Sequence, residues 1–128
     1  MILDSSAVIA ILTDEPTKPE LVKKLKAGGR LRIGAPTLVE CYVVASWKLG
    51  PEAGAILERF LRSHEVEVVA FGREHYLEAA EAFRVYGKGR HPAGLNLGDC
   101  YSYATAMVAG EPLLYVGGDF ALTPIAAA

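Results

Sequence analysis

The chain has 128 residues, 52% of them hydrophobic, and a formal net charge of −2. That is enough apolar chain for one domain with its own core, and the slightly acidic balance argues against a general nucleic-acid coat protein, whose footprint is basic. No apolar run approaches the roughly 20 residues that span a bilayer, and two cysteines with no C-x-x-C spacing suit packing better than a disulfide scaffold or a zinc site.

In chain order, Ile2-Leu3 reads as a short buried strand that stops at Asp4. The strand follows directly on Met1, so no signal or transit segment precedes it and a soluble cytoplasmic protein is expected. Ser5 to Thr13 reads as a mostly buried helix capped by Asp4 or Ser5 and broken at Asp14-Glu15-Pro16. A second helix, Pro19 to Ala27, sets Leu21, Val22 and Leu25 against Lys23, Lys24 and Lys26 and ends at Gly28-Gly29. Leu31 to Ile33 is a second strand. A long helix from Pro36 to Leu49 carries a broad apolar stripe through Leu38, Val39, Tyr42, Val43 and Trp47. Gly50-Pro51 separates it from a helix over Glu52 to Ser63.

Glu65 to Ala70 alternates like a half-exposed edge strand, and a helix follows over Arg73 to Val85. Tyr86 to Leu95 is a Gly-rich basic loop longer than a compact connection needs, which marks it as functional or mobile. Leu97 to Ala109 reads as a helix. Pro112 to Val116 reads as a fully apolar central strand, with a turn at Gly117 to Phe120 and a possible terminal edge strand after it. Strands alternating with helices predict one three-layer α/β domain over residues 1–128, with a mostly parallel sheet of four or five strands.

This topology places four acids. In a parallel sheet the helices run antiparallel to the strands, so helix N-termini gather at the carboxyl edge, where ligands bind. Asp4 follows the first strand, Glu40 falls in the first turn of the long helix, Asp99 starts the sixth helix, and Asp119 follows the last strand. Capping explains each one alone: Thr37-x-x-Glu40 and Asn96-x-x-Asp99 both have capping-box spacing, and an acid is favoured in a first helical turn. Four on one edge is different, because clustered carboxylates repel unless a cation joins them. Hard oxygen donors without a His or Cys cluster point to Mg²⁺ or Mn²⁺, and such a site implies phosphodiester hydrolysis.

Ile2-Leu3-Asp4-Ser5-Ser6-Ala7, Thr37-Leu38-Val39-Glu40, the run from Gly87 to Cys100 and Gly118-Asp119-Phe120 together resemble a PIN-domain ribonuclease. More narrowly, they resemble the VapC-type toxin of a type II VapBC toxin–antitoxin system, over essentially the whole chain. The resemblance implies a PIN-like fold and a Mg²⁺- or Mn²⁺-dependent endoribonuclease, usually a homodimer, silenced by a small VapB-like antitoxin. It maps the family's catalytic and metal-holding acids onto Asp4, Glu40 and Asp99, with Asp119 as a fourth. It maps the active-site hydroxyl onto Ser6, although Ser5 competes. One departure is Pro124, which follows Thr123 where relatives commonly carry an acid.

Lys88, Arg90 and His91, with Asn96 beside them, are candidate contacts to the RNA backbone; a solvated loop is the competing reading. The Lys23, Lys24, Lys26, Arg30 and Arg32 cluster reads as a solvated face. Trp47 and Tyr42 read as core or dimer contacts, and Cys41 and Cys100 as buried packing. Apolar surface around Val8, Leu12, Leu21 and Leu25 is expected to receive an amphipathic antitoxin helix, with an Arg or Lys of that partner pairing with Asp4, Glu40 and Asp99. A phosphoacceptor receiver domain is set aside because no Asp ends the middle strand and no Lys lies beyond Lys88. A PIN-like scaffold without catalysis, acting by protein contacts alone, is the remaining alternative.

Overall fold

Four short strands, all parallel, carry the fold in the computed structural model, which describes residues 1–128. The elements are β1 (Ile2–Leu3), α1 (Ser5–Leu12), α2 (Lys18–Ala27), β2 (Arg32–Gly34), α3 (Ala35–Leu49), α4 (Ala53–Ser63), β3 (Glu67–Val69), α5 (Arg73–Tyr86), α6 (Leu97–Ala109) and β4 (Leu113–Leu114), with 3₁₀ turns at Gly50–Glu52 and Phe120–Leu122. The sheet order is β3-β2-β1-β4, and the register pairs Ile2 with Arg32 on one side and with Leu113 on the other.

Side chains alternate across each strand, and this divides the core in two. Leu3, Ile33 and Leu114 point to a cluster built with Ala7, Val8, Ile11, Leu21, Leu25, Cys41, Ala45, Leu57 and Phe60 of α1 to α4. Ile2 and Leu113 point the other way, to Ala82, Leu95, Cys100, Tyr103, Ala106 and Phe120, under α5 and α6. Helices on both faces make the predicted three-layer α/β sandwich.

The Pro112–Val116 run, read as a central strand, pairs only over Leu113–Leu114 and lies outermost of the four. Its apolar character comes from helices covering both faces, not from strands on both sides. The tail covers its outer edge: the Leu113 amide donates to the Ala126 carbonyl (2.8 Å) and the Ala128 amide to the Leu113 carbonyl (2.9 Å), which bears out the expected terminal edge pairing. Glu67–Val69 forms the opposite edge, as its alternation indicated.

Two surface expectations are corrected. Val8, Leu21 and Leu25 are core residues and Leu12 is half-buried, so the early helices offer no apolar face to a partner. The reason is that α1 is almost wholly apolar and is packed into the core against α2 and α3. Helix α3 buries only its Thr37, Cys41 and Ala45 stripe. Its opposite face, Val39, Tyr42, Val43 and Trp47, is turned to solvent, with Trp47 80% exposed, which overturns the core reading of Trp47 and Tyr42.

The basic cluster is only partly solvated. Lys24 donates to the Ala128 carbonyl (2.9 Å), Arg30 pairs with Glu67 (2.5 Å), and Arg32 pairs with Glu111, which also meets the Met1 ammonium at 3.0 Å. Burial works to raise the Glu111 carboxyl, but hydrogen bonds from Arg32 and the ammonium outweigh it and hold it below the usual range.

Candidate active site

The site grows from the end of β1. Asp4 is 2% exposed, and its carboxylate caps α1 by accepting the Ser6 amide (3.0 Å) and the Ser6 hydroxyl (2.5 Å) on Oδ2. The Ser6 hydroxyl in turn accepts the Val116 amide at 2.9 Å, just beyond β4. Ser6, not Ser5, is therefore the hydroxyl fastened between the two strand ends. The second carboxylate oxygen, Oδ1, accepts the hydroxyl of Ser102 at 2.5 Å, and Ser102 lies 3.3 Å from the hydroxyl of Thr37.

Thr37 does not cap α3. The helix starts one residue earlier than expected, at Ala35 with Gly34 as its N-cap and no side-chain cap. Thr37 faces inward at 1% exposure, and Glu40 falls in the second turn instead of the first. The other capping box is present: the Asn96 side chain accepts the Asp99 amide (2.9 Å) while Asp99 accepts the Asn96 amide (3.0 Å).

Helix α6 brings its Asp99 end to the same place. The Glu40 carboxylate rests directly on Gly98, where an added Cβ would lie 2.7 Å from Glu40 Cδ and closer still to Oε2. Asp99 is partly buried, and its carboxyl is pushed up to about 6, first by burial and then by the charges of Asp4, Asp119 and Glu40, against the hydrogen bond from Asn96. Asp119 stands exposed before the Phe120 turn. Asp99 thus lies within Coulombic reach of the other three predicted acids, Asp4, Glu40 and Asp119, at the carboxyl edge of the sheet. Cys41 and Cys100 are buried and free; burial raises both thiols, Cys100 to about 11, and a reactive role does not fit them.

The donor chemistry suits a hard divalent cation: carboxylate oxygens, an adjacent hydroxyl and mutual repulsion that a cation would relieve. The acids are grouped but not closed into a cage, since no three His, Cys, Asp or Glu side chains are arranged as a ready-made metal site.

The basic loop leads directly into the Asn96 cap of the helix that carries Asp99. It is ordered, closed at its base by a bridge between Gly87 and Leu95 and internally by amide donation from Arg90 and His91 to the Gly87 carbonyl. Arg90 lies 5.4 Å over the Phe83 ring. His91 packs edge-on against Tyr86 and accepts the Ala93 amide on Nδ1 (3.0 Å). Lys88 and Arg90 are exposed and make no ion pair. Asn96 spends its side-chain oxygen on the cap, which leaves its NH₂ group free. Ser102 and Gly98 went unnoticed in the sequence, where Thr37 reads only as a cap; the one signal for Ser102 is its spacing of a helical turn from Asp99 and from Thr105.

The PIN-domain model matches residues 1–125. The chain belongs to the PIN-domain family. A Ribonuclease VapC of Mycolicibacterium smegmatis is 43% identical over 128 residues, covering 99% of this chain and 98% of that one, which places this PIN domain in the VapC ribonuclease group. Among solved structures, it superposes on Mycobacterium tuberculosis VapC20, described as a sarcin-ricin loop cleaving toxin, with a TM-score of 0.77 at 18% identity, covering 99% and 97% of the two chains. It also superposes on a chain of VapBC2 from Rickettsia felis bound to a promoter DNA fragment, with a TM-score of 0.75 at 15% identity, covering 98% and 94%. These two likenesses bear on the fold.

Proposed function

We propose that this PIN domain is a Mg²⁺- or Mn²⁺-dependent endoribonuclease that hydrolyses RNA phosphodiester bonds in the cytoplasm as the toxin of a toxin–antitoxin pair. The observation that carries the reading is the meeting of Asp4, Glu40, Asp99 and Asp119, from four separate stretches of chain, at one sheet edge in a VapC relative. Asp4, Asp99, Glu40 and Asp119 would hold the cation, which when bound polarises a phosphoryl oxygen and acidifies water. The chain's own contribution is preorganisation. The Ser6 hydroxyl and amide fix Asp4, Gly98 gives the Glu40 carboxylate its seat, and the Asn96 box holds the Asp99 carboxylate at the N-terminus of its helix. Lys88 and Arg90, exposed and without carboxylate partners, are available to RNA phosphates, with His91 and the Asn96 NH₂ group behind them.

The antitoxin reading moves from the early helices to α3. Val39, Tyr42, Val43 and Trp47 form an apolar strip that runs up to Glu40, so one amphipathic helix laid along it would end at the acids and could place an Arg or Lys among them. The homodimer reading places a second copy at the groove of about 540 Å³ between α5 and α6, lined by Phe71, Tyr76, Phe83, Leu97, Cys100 and Tyr101.

The test compares wild type with Asp4→Asn. Purified wild type is expected to cut RNA with Mn²⁺ and to stop with chelator. Its induced expression should arrest growth, and co-expression of the neighbouring open reading frame should restore it. Binding of that partner should shift the emission of Trp47, the only tryptophan. Arrest by Asp4→Asn at matched protein levels would overturn the metal chemistry and favour the scaffold alternative.

A further inference from the structure

Ser102 and Thr37 lie outside the acid set, yet both are almost fully buried, at 0% and 1% exposure. A buried hydroxyl needs a partner, and the polarity of these two follows from the geometry. The Asp4 carboxylate, when ionised, only accepts, so the Ser102 hydroxyl donates its single hydrogen to Oδ1 (2.5 Å). Thr37 must then donate to Ser102 across their 3.3 Å contact. On the other oxygen the Ser6 hydroxyl donates (2.5 Å) and itself accepts the Val116 amide (2.9 Å). Two chains of hydrogen bonds, Thr37 to Ser102 and Val116 to Ser6, thus converge on one carboxylate from opposite sides.

Nothing else needs these hydroxyls. Helix α6 is seated independently by Thr105, whose Oγ1 would lie 2.6 Å from a Cβ at Gly34, and by its own cap. Ala or Val would fill positions 102 and 37 at similar volume. What the hydroxyls add is a fixed rotation of the Asp4 carboxylate plane.

We infer that Ser102, backed by Thr37, is a positioning residue for Asp4: by occupying Oδ1 it sets which lone pairs of Asp4 face the acid cluster, and it thereby sets the affinity of the site for its divalent cation. The inference rests on the metal-dependent reading proposed above. Partners of this kind one bond behind a ligand change metal affinity or activity by about 10–100-fold when removed.

The experiment measures the Mn²⁺ dissociation constant by calorimetry, together with kcat and KM for RNA cleavage, on the full chain. Ser102→Ala should weaken Mn²⁺ at least tenfold and lower kcat with KM for RNA little changed. Ser102→Thr, which keeps the hydroxyl, should restore binding to within about threefold of wild type, and Thr37→Val should fall between the two. If Ser102→Ala binds Mn²⁺ like wild type, Ser102 is only packing and the inference is overturned. If Ser102→Ala does not fold, Thr37→Val against Thr37→Ser makes the same comparison, and equal affinities overturn it. Failure of wild type itself to bind Mn²⁺ overturns the metal-dependent reading and this inference with it, a different result from a wild type that binds and a Ser102→Ala that binds equally.

Discussion

A carboxyl at the start of a helix, partly buried and with three other acids in range, is held protonated longer than it would be in the unfolded chain, and the stability of the protein must register this. Asp99 is raised from 3.8 to about 6. Between those values the folded state binds more protons than the unfolded state, so this group's contribution to stability falls as pH rises through the window and is level above it. Asn at 99 keeps the acceptor for the Asn96 amide and does not titrate. In chelator at pH 7.5, Asp99→Asn should therefore melt above wild type, by about 1 kcal/mol once partial exposure is allowed for, or roughly 3–5 °C. At pH 4 the gap should close. Adding Mn²⁺ should reverse the order, because only wild type gains the ligand. A variant that melts below wild type at pH 7.5 in chelator would show that the acids do not strain the fold. Residues such as Asp99 and Asp4 were legible because their positions follow from where a strand stops and a helix starts. Thr37 was misread for the same reason: Thr-x-x-Glu spacing is local, and what Thr37 meets is Ser102, sixty-five residues away.

At the scale of elements, α3 and α6 cross at the site, and the close approach depends on Gly98. The Glu40 carboxylate occupies the space a Cβ would take. Because that carboxylate is the far end of a flexible side chain, Gly98→Ala need not disturb the helices. Alanine is the better helix former by about 1 kcal/mol in a helix interior, with less to gain in a first turn, so the variant should melt at or slightly above the wild-type temperature. It should nonetheless lose RNA cleavage by tenfold or more, since Glu40 must leave its seat beside Asp99. A folded Gly98→Ala with full activity would remove Glu40 from the site. The elements themselves were largely readable from periodicity, and their order and boundaries agree within a few residues. Their outward faces were not. The stripes of α2 and α3 look equally amphipathic in sequence, and only packing decides that Leu21 and Leu25 are core while Tyr42 and Trp47 face water. The basic loop shows a third kind of gap: its length and glycines were visible, but not the bridge between Gly87 and Leu95 that makes it ordered.

Over the whole molecule, the two half-cores divided by the sheet have a consequence for when the protein works. Glu40 rides on the layer that packs with α1, α2 and α4, whereas Asp99 and Ser102 ride on the layer that packs with α5. Asp4 stands on the seam, bonded to Ser6 from one side and Ser102 from the other. The strands that join the layers are only two or three residues long, so little ladder resists a small slip of one layer on the other. Activity is then a strain gauge for the docking of the layers, more sensitive than any measure of helix content. In a urea titration, cleavage should fall away at concentrations where the circular dichroism of the helices is still unchanged, and the loss should be reversible on dilution. Superimposable curves would mean that the layers separate only when the whole chain unfolds. A site assembled across a seam can be silenced by prying as well as by plugging: on the proposed reading, a partner helix laid along α3 would have only to shift Glu40 relative to Asp99, and would never need to enter the crevice.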